Sequence, residues 1–149
     1  MACCGARRWA AAMVALRPIR SVGELSAAAD RIWSTMEEVD WMEAFACHPR
    51  IGERKAANAS RKSAAWSQQE QSSAETGAER VLAELASGNA LYEQRFGFTY
   101  IVCATGKSAE EMLSILNRRL KSDRVTELRE AAEQQRQITQ IRLGKWLVE

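Results

Sequence analysis

Proline occurs twice and glycine eight times in these 149 residues, so little interrupts regular structure and long elements are expected. No apolar run approaches the ~20 residues of a membrane span, so no transmembrane helix is expected. The four cysteines, Cys3, Cys4, Cys47 and Cys103, contain no Cys-x-x-Cys pair. That is neither a zinc pattern nor a disulfide framework, and it reads as reduced thiols in a cytoplasm. The net charge of +2 is too weak to argue for nucleic acid. Residues 1–16 are rich in arginine and alanine, but no continuous apolar stretch follows the arginines, so they do not read as a targeting segment. What remains is 46% hydrophobic and 27% charged, the balance of an ordinary globular protein. A chain of this length fits one domain, expected over 1–149, and can bury a core without staples.

Helical periodicity dominates. Trp9, Met13 and Leu16 share one face over residues 6–16. Ser21 and Glu24 have capping-box spacing and open a helix to about residue 38, with Ala28, Ala29, Ile32, Trp33 and Met36 on its stripe. Asp40 can cap a short helix that ends at His48-Pro49. Residues 50–65 are basic and poor in large apolar groups, a surface loop of a length more often functional than idle. A helix follows from Ser67, is broken by Ser87-Gly88-Asn89, and resumes as a short turn over 91–95. From Phe96 to Ala104 the residues are aromatic and β-branched, which favours an extended segment. Its backbone groups then need partners from side chains, water or a ligand. Ser108 and Glu111 open another helix, and Asp123 caps a long last one with Val125, Leu128, Ala131, Ala132, Ile138 and Ile141 inward. The expected architecture is an all-α, single-domain helical bundle of about seven or eight helices, with one short extended segment near 97–104.

The only histidine, His48, stands where an apolar helix stops at Pro49. Imidazole offers a proton near neutral pH, and proline biases the preceding residue away from helical geometry. His48 can therefore meet groups from other segments, although a histidine there can equally cap its helix. Ser67-x-x-Glu70 can be a plain capping box, or a helix start whose free N–H groups and carboxylate meet an anionic substrate. On the helix after Ser108, a 100° step per residue puts Arg119 at the edge of the apolar face and Arg118 on the solvent side. Arg119 then needs a partner, either Glu127 or a substrate carboxylate. The five tryptophans, including Trp66 and Trp146, read as core or interface anchors. Arg50, Arg54, Lys55, Arg61 and Lys62 read as a solvated loop that can also steer an anion. A cysteine nucleophile, Cys47 beside His48, is a rival arrangement, but adjacent residues rarely present both groups to one site.

These segments together resemble the family of 2-oxo-4-hydroxy-4-carboxy-5-ureidoimidazoline (OHCU) decarboxylases of urate degradation. The resemblance runs through Cys3-Cys4-Gly5-Ala6-Arg7-Arg8-Trp9-Ala10, Ala44-Phe45-x-x-His48-Pro49-Arg50-Ile51-Gly52, Ser67-x-x-Glu70-Gln71, Phe96-x-Phe98 into Ile101-Val102-Cys103-Ala104, and Arg119-Leu120 followed by Glu127-Leu128. Each motif alone is weak, and their shared order makes the match specific. The resemblance implies an all-helical fold, a homodimer, and decarboxylation to (S)-allantoin with no cofactor and no metal. It puts the catalytic histidine at His48 and substrate contacts at Ser67, Glu70 and Gln71. It puts the substrate-binding arginine at Arg119 and backbone contacts at Ile101, Val102, Cys103, Ala104 and Thr105, with Pro49 lining the site. Ser122 departs from the family's asparagine, the loop from His48 to Ser67 is slightly long, and the start at Cys-Cys reads as short for the family. His48 is then expected to act as general acid/base, with Glu70 and Arg119 orienting the substrate. The alternative is a helical binding or scaffold domain that keeps the fold without catalysis.

Overall fold

The hydroxyl of Ser21 accepts the amide of Glu24 at 3.1 Å, and Ser108 accepts that of Glu111 at the same distance. Both helix starts thus lie where the serine spacing puts them. The computed structural model describes residues 3–51 and 68–148, and side chains at 3–51 and 77–148. Among the described residues there are six helices and no strand: α1 (Arg7–Ala15), α2 (Val22–Trp33), α3 (Glu38–Ala46), α4 (Gln68–Phe96), α5 (Ala109–Arg119) and α6 (Arg124–Trp146). The protein is all-α. The residues gather into two compact units, one of Met1–His48, Ile101–Cys103 and Arg124–Glu149, the other of Pro49–Tyr100 and Ala104–Asp123.

In the first unit, α1, α2, α3 and α6 pack through tryptophans, of which Trp9 and Trp33 have paired indole N–H groups while that of Trp41 is buried without a hydrogen-bond partner among the described residues. Trp9 donates its indole N–H to the Ala29 carbonyl at 3.1 Å, and Trp33 donates to that of Ala132 at 3.0 Å. Arg136 on α6 bonds Asp30 on α2 at 3.0 Å, and Ser26 donates to Gln140 at 2.7 Å. Arg7 pairs with Glu43, and Arg8 reaches Asp40 at 3.0 Å, tying α1 to α3. Asp40 is not the N-cap of α3 but the third residue of its capping box, whose N-cap is Glu37. The helix begins earlier, at Glu38, and Asp40 folds back to accept the amide of Glu37 at 3.0 Å. Correspondingly α2 stops at Trp33, five residues before the expected end.

In the second unit, Ser87-Gly88-Asn89 does not break the chain, and α4 runs through it to Phe96. This merges two expected helices into one. Ser87 returns its hydroxyl to the carbonyls of Ala83 and Glu84, and the buried Asn89 amide donates to those of Leu85 and Ile51. Gly88 is the contact point with α5, since a Cβ there would lie 2.6 Å from Leu116 Cδ2. Among the described residues, the segment after α4 forms no strand. Tyr92, Phe96, Phe98 and Tyr100 form a cluster with ring centres 4.7–6.3 Å apart, a spacing that suits tilted and edge-on aromatic pairs. The Tyr100 hydroxyl donates to the Met112 carbonyl at 3.1 Å.

Candidate active site

His48 follows Cys47, the C-cap of α3, and its amide donates to the Phe45 carbonyl at 3.0 Å. The imidazole turns to α6, where Nε2 lies 2.7 Å from Gln135 Oε1. Gln135 is fully buried, and His48 is half-buried. Burial pushes the His48 pKa down, the Gln135 hydrogen bond pulls it up, and Arg142 adds to the depression. Burial wins, so the ring is neutral at neutral pH.

Gly5 allows the Cys-Cys stretch to reach this helix end. A Cβ on Gly5 would sit 2.5 Å from Cys47 Sγ, so only glycine fits. The Cys47 thiol, the rival nucleophile, donates toward the Glu43 carbonyl of its own helix at 3.5 Å. Burial raises the pKa of the Cys4 thiol, which hydrogen-bonds Thr139 on α6.

Ile101, Val102 and Cys103 belong to this same unit and are buried. The Cys103 amide donates to Gln134 Oε1 at 2.8 Å, so a side chain rather than a second strand satisfies this backbone. Ala104 and Thr105 are exposed and start a turn, with the Ala104 carbonyl accepting from Lys107 at 3.1 Å.

In the second unit, Arg119 ends α5 and is 0% exposed, whereas Arg118 is exposed, as the 100° step predicts. Its guanidinium carbon lies 4.9 Å from the Tyr100 ring centre and 5.8 Å from that of Tyr92, whose hydroxyl accepts from Nη2 at 3.3 Å. Pro49 is exposed. Arg50 is not a lone loop cation: it grips Glu93 with two bonds, 2.8 and 2.6 Å long, which hold the Glu93 pKa down. Glu70 and Gln71 lie in the first turn of α4 by backbone. Their side chains lie outside the described residues, as do Ser67, Trp66, Arg54, Lys55, Arg61 and Lys62.

Gln135 and Thr139 are the polar residues that sequence reading misses here. Both lie on the buried face of α6 with Leu128, Ala131, Ala132 and Leu143. Of the expected stripe, Leu128, Ala131 and Ala132 are buried, but Val125 is 58% exposed and Ile138 and Ile141 are only half-buried. Extending Leu128 and Ala131 by steps of three and four reaches both polar residues. Trp146 is exposed rather than an anchor in the core. Among the described residues, no group of three or more histidine, cysteine or acidic side chains is placed to hold a metal ion, and no helix is long and apolar enough to cross a membrane.

The model of the OHCU decarboxylase family matches residues 1–144. The uric acid degradation bifunctional protein TTL of Arabidopsis thaliana is 37% identical over 144 residues, 96% of this chain and 44% of that protein. The 2-oxo-4-hydroxy-4-carboxy-5-ureidoimidazoline decarboxylase of Haloferax volcanii is 27% identical over 133 residues, 87% of this chain and 74% of its own length. The chain spans less than half the length of the bifunctional relatives it matches. A crystal structure of OHCU decarboxylase in the presence of (S)-allantoin is similar with a TM-score of 0.78 and 31% identity, over 99% of this chain and 95% of the other.

Proposed function

Since the chain belongs to the OHCU decarboxylase family, we propose that it removes the carboxylate of 2-oxo-4-hydroxy-4-carboxy-5-ureidoimidazoline to give (S)-allantoin in urate degradation. The substrate carries its own electron sink. The bond pair released with CO₂ flows into the adjacent C=N, whose nitrogen takes up a proton. The hydroxyl then loses its proton as C–O becomes C=O, and the neighbouring ring carbon gains one. Net, one proton replaces CO₂. The protein's tasks are to orient the carboxylate, stabilise the moving charge and pass protons to one face.

His48 is the general acid/base. Its neutral imidazole takes the hydroxyl proton first and then delivers a proton to carbon. Glu70 hydrogen-bonds the hydroxyl or a ring N–H. Arg119 holds the anionic or carbonyl oxygens, and its buried guanidinium is pre-oriented by two tyrosine faces. Ser67, Gln71, Pro49 and the peptide groups of Ile101, Val102, Cys103, Ala104 and Thr105 complete the contacts. The chemistry needs neither metal nor organic cofactor. The active form on this reading is a cytoplasmic homodimer.

The observation that carries the reading is that the only histidine of a chain from this family rests, neutral, against a buried amide. The test is to add the protein to OHCU freshly made from urate by the preceding enzymes and follow its optical decay with chiral analysis of the product. Faster decay to (S)-allantoin is expected, and His48→Asn should fold yet lose most of it. Decay at the spontaneous rate, giving racemic allantoin, would remove the proposal.

A further inference from the structure

The buried amide behind His48 has one orientation only, and Thr139 sets it. Thr139 Oγ1 donates its single proton to the Gln135 carbonyl at 2.9 Å. Its lone pairs therefore face Gln135 Nε2, 3.1 Å away, which must be the donor end of the amide. That turns Oε1, a pure acceptor, toward His48 Nε2 at 2.7 Å. The Cys4 thiol, its pKa raised by burial, also hydrogen-bonds Thr139. Cys4, Gln135 and Thr139 are 1%, 0% and 4% exposed, so water does not compete for these bonds. Flipping the Gln135 amide would set its oxygen against the lone pairs of the threonine oxygen and orphan the buried acceptor on each.

We propose that Gln135 and Thr139 are positioning residues for the reaction above: they hold His48 as its Nε2–H tautomer and so present Nδ1 to the substrate. This rests on the decarboxylase reading. Neither residue touches the reacting atoms on this account. They act through the imidazole, fixing which nitrogen exchanges the proton and where the ring plane lies.

A lone histidine makes the test direct. Histidine-selective ¹⁵N labelling of the full chain gives two imidazole nitrogens, both from His48. Above its titration the wild type should show a pyrrole-like Nε2 and a pyridine-like Nδ1. Gln135→Leu should relax the pair toward the averaged shifts of free imidazole and lower kcat by about 10–100-fold with KM little changed. Thr139→Val should move both readouts the same way, and Thr139→Ser should restore them. A pyrrole-like Nδ1 in the wild type overturns the proposal whether or not any variant folds. So do unchanged shifts or unchanged kcat in Gln135→Leu. A pyridine-like Nδ1 in a chain without OHCU turnover overturns the decarboxylase reading and leaves the tautomer assignment standing.

Discussion

The guanidinium of Arg119 is stacked over the ring of Tyr100, 4.9 Å from its centre, with no part of the arginine reaching solvent. A desolvated cation–π contact contributes about 2 kcal/mol, and it depends on the flat guanidinium as much as on charge. Arg119→Lys keeps the charge and loses the plane. It should lower unfolding free energy by about 1–3 kcal/mol in urea titrations and reduce kcat/KM for OHCU at temperatures where the variant is fully folded. An unchanged urea midpoint would show that the stacking contributes nothing.

Gly88 on α4 and Leu116 on α5 set a second steric limit. Alanine gains about 1 kcal/mol of helix propensity over glycine. Its Cβ, however, would meet Cδ2 of the fully buried Leu116 at 2.6 Å, and overpacking costs about 1–3 kcal/mol. The overlap should win, so Gly88→Ala is expected to lower the thermal midpoint. Adding Leu116→Ala should then cost less than it does in the wild type, because the two changes relieve each other. Simple additivity in that double-mutant cycle would mean that the helices do not meet at this point.

Local chemistry was legible in the sequence and tertiary substitution was not. Ser21 and Ser108 start helices because a hydroxyl three residues before an amide caps it whatever lies beyond. Arg118 and Arg119 separate by a fixed rotation, so their opposite exposures follow from helix geometry alone. Gly88 misleads because serine, glycine and asparagine in a row read as a turn. In α4 each is used by a neighbour: a back-bonded hydroxyl, a missing Cβ and a buried amide.

The candidate site divides in the same way. His48 stands out because it is alone and precedes proline. Gln135 and Thr139 stay hidden because an apolar-periodicity search discards polar residues, although these occupy core positions of α6. The aromatic stretch after α4 forms no strand among the described residues, and its sequence does not show that Gln134 would satisfy the Cys103 amide.

Glu70→Gln separates chemistry from capping at the start of α4. Glutamine serves the third position of a capping box as glutamate does, so the helix start should survive. The carboxylate that, on the proposed mechanism, orients the substrate is lost. Turnover of OHCU should fall about 10–100-fold with the helical circular dichroism and thermal midpoint unchanged. Equal turnover in the two proteins would reduce Glu70 to a cap.

His48 also links folding to pH. Its folded pKa lies below the unfolded value of 6.5, with burial the main cause. Above that value both states are neutral and the histidine contributes no pH dependence. Below it the unfolded chain binds a proton that the folded chain refuses, so stability falls until the folded pKa is reached. The slope cannot exceed about 1.4 kcal/mol per pH unit for one proton. The carboxylates of Glu43, Glu93 and Glu133 are depressed by arginine partners, so their contribution is lost only further down, as pH falls through values below 4.5. The histidine window therefore comes first on acidification. Urea titrations from pH 7 to 5 should show wild-type stability declining while His48→Asn stays nearly flat. Because on the proposed mechanism the same deprotonated imidazole takes the first proton from the substrate, the acid limb of kcat/KM should fall in this range too, at a pH below 6.5. An acid limb above that value, or parallel pH–stability curves for the two proteins, would mean that burial does not hold His48 neutral.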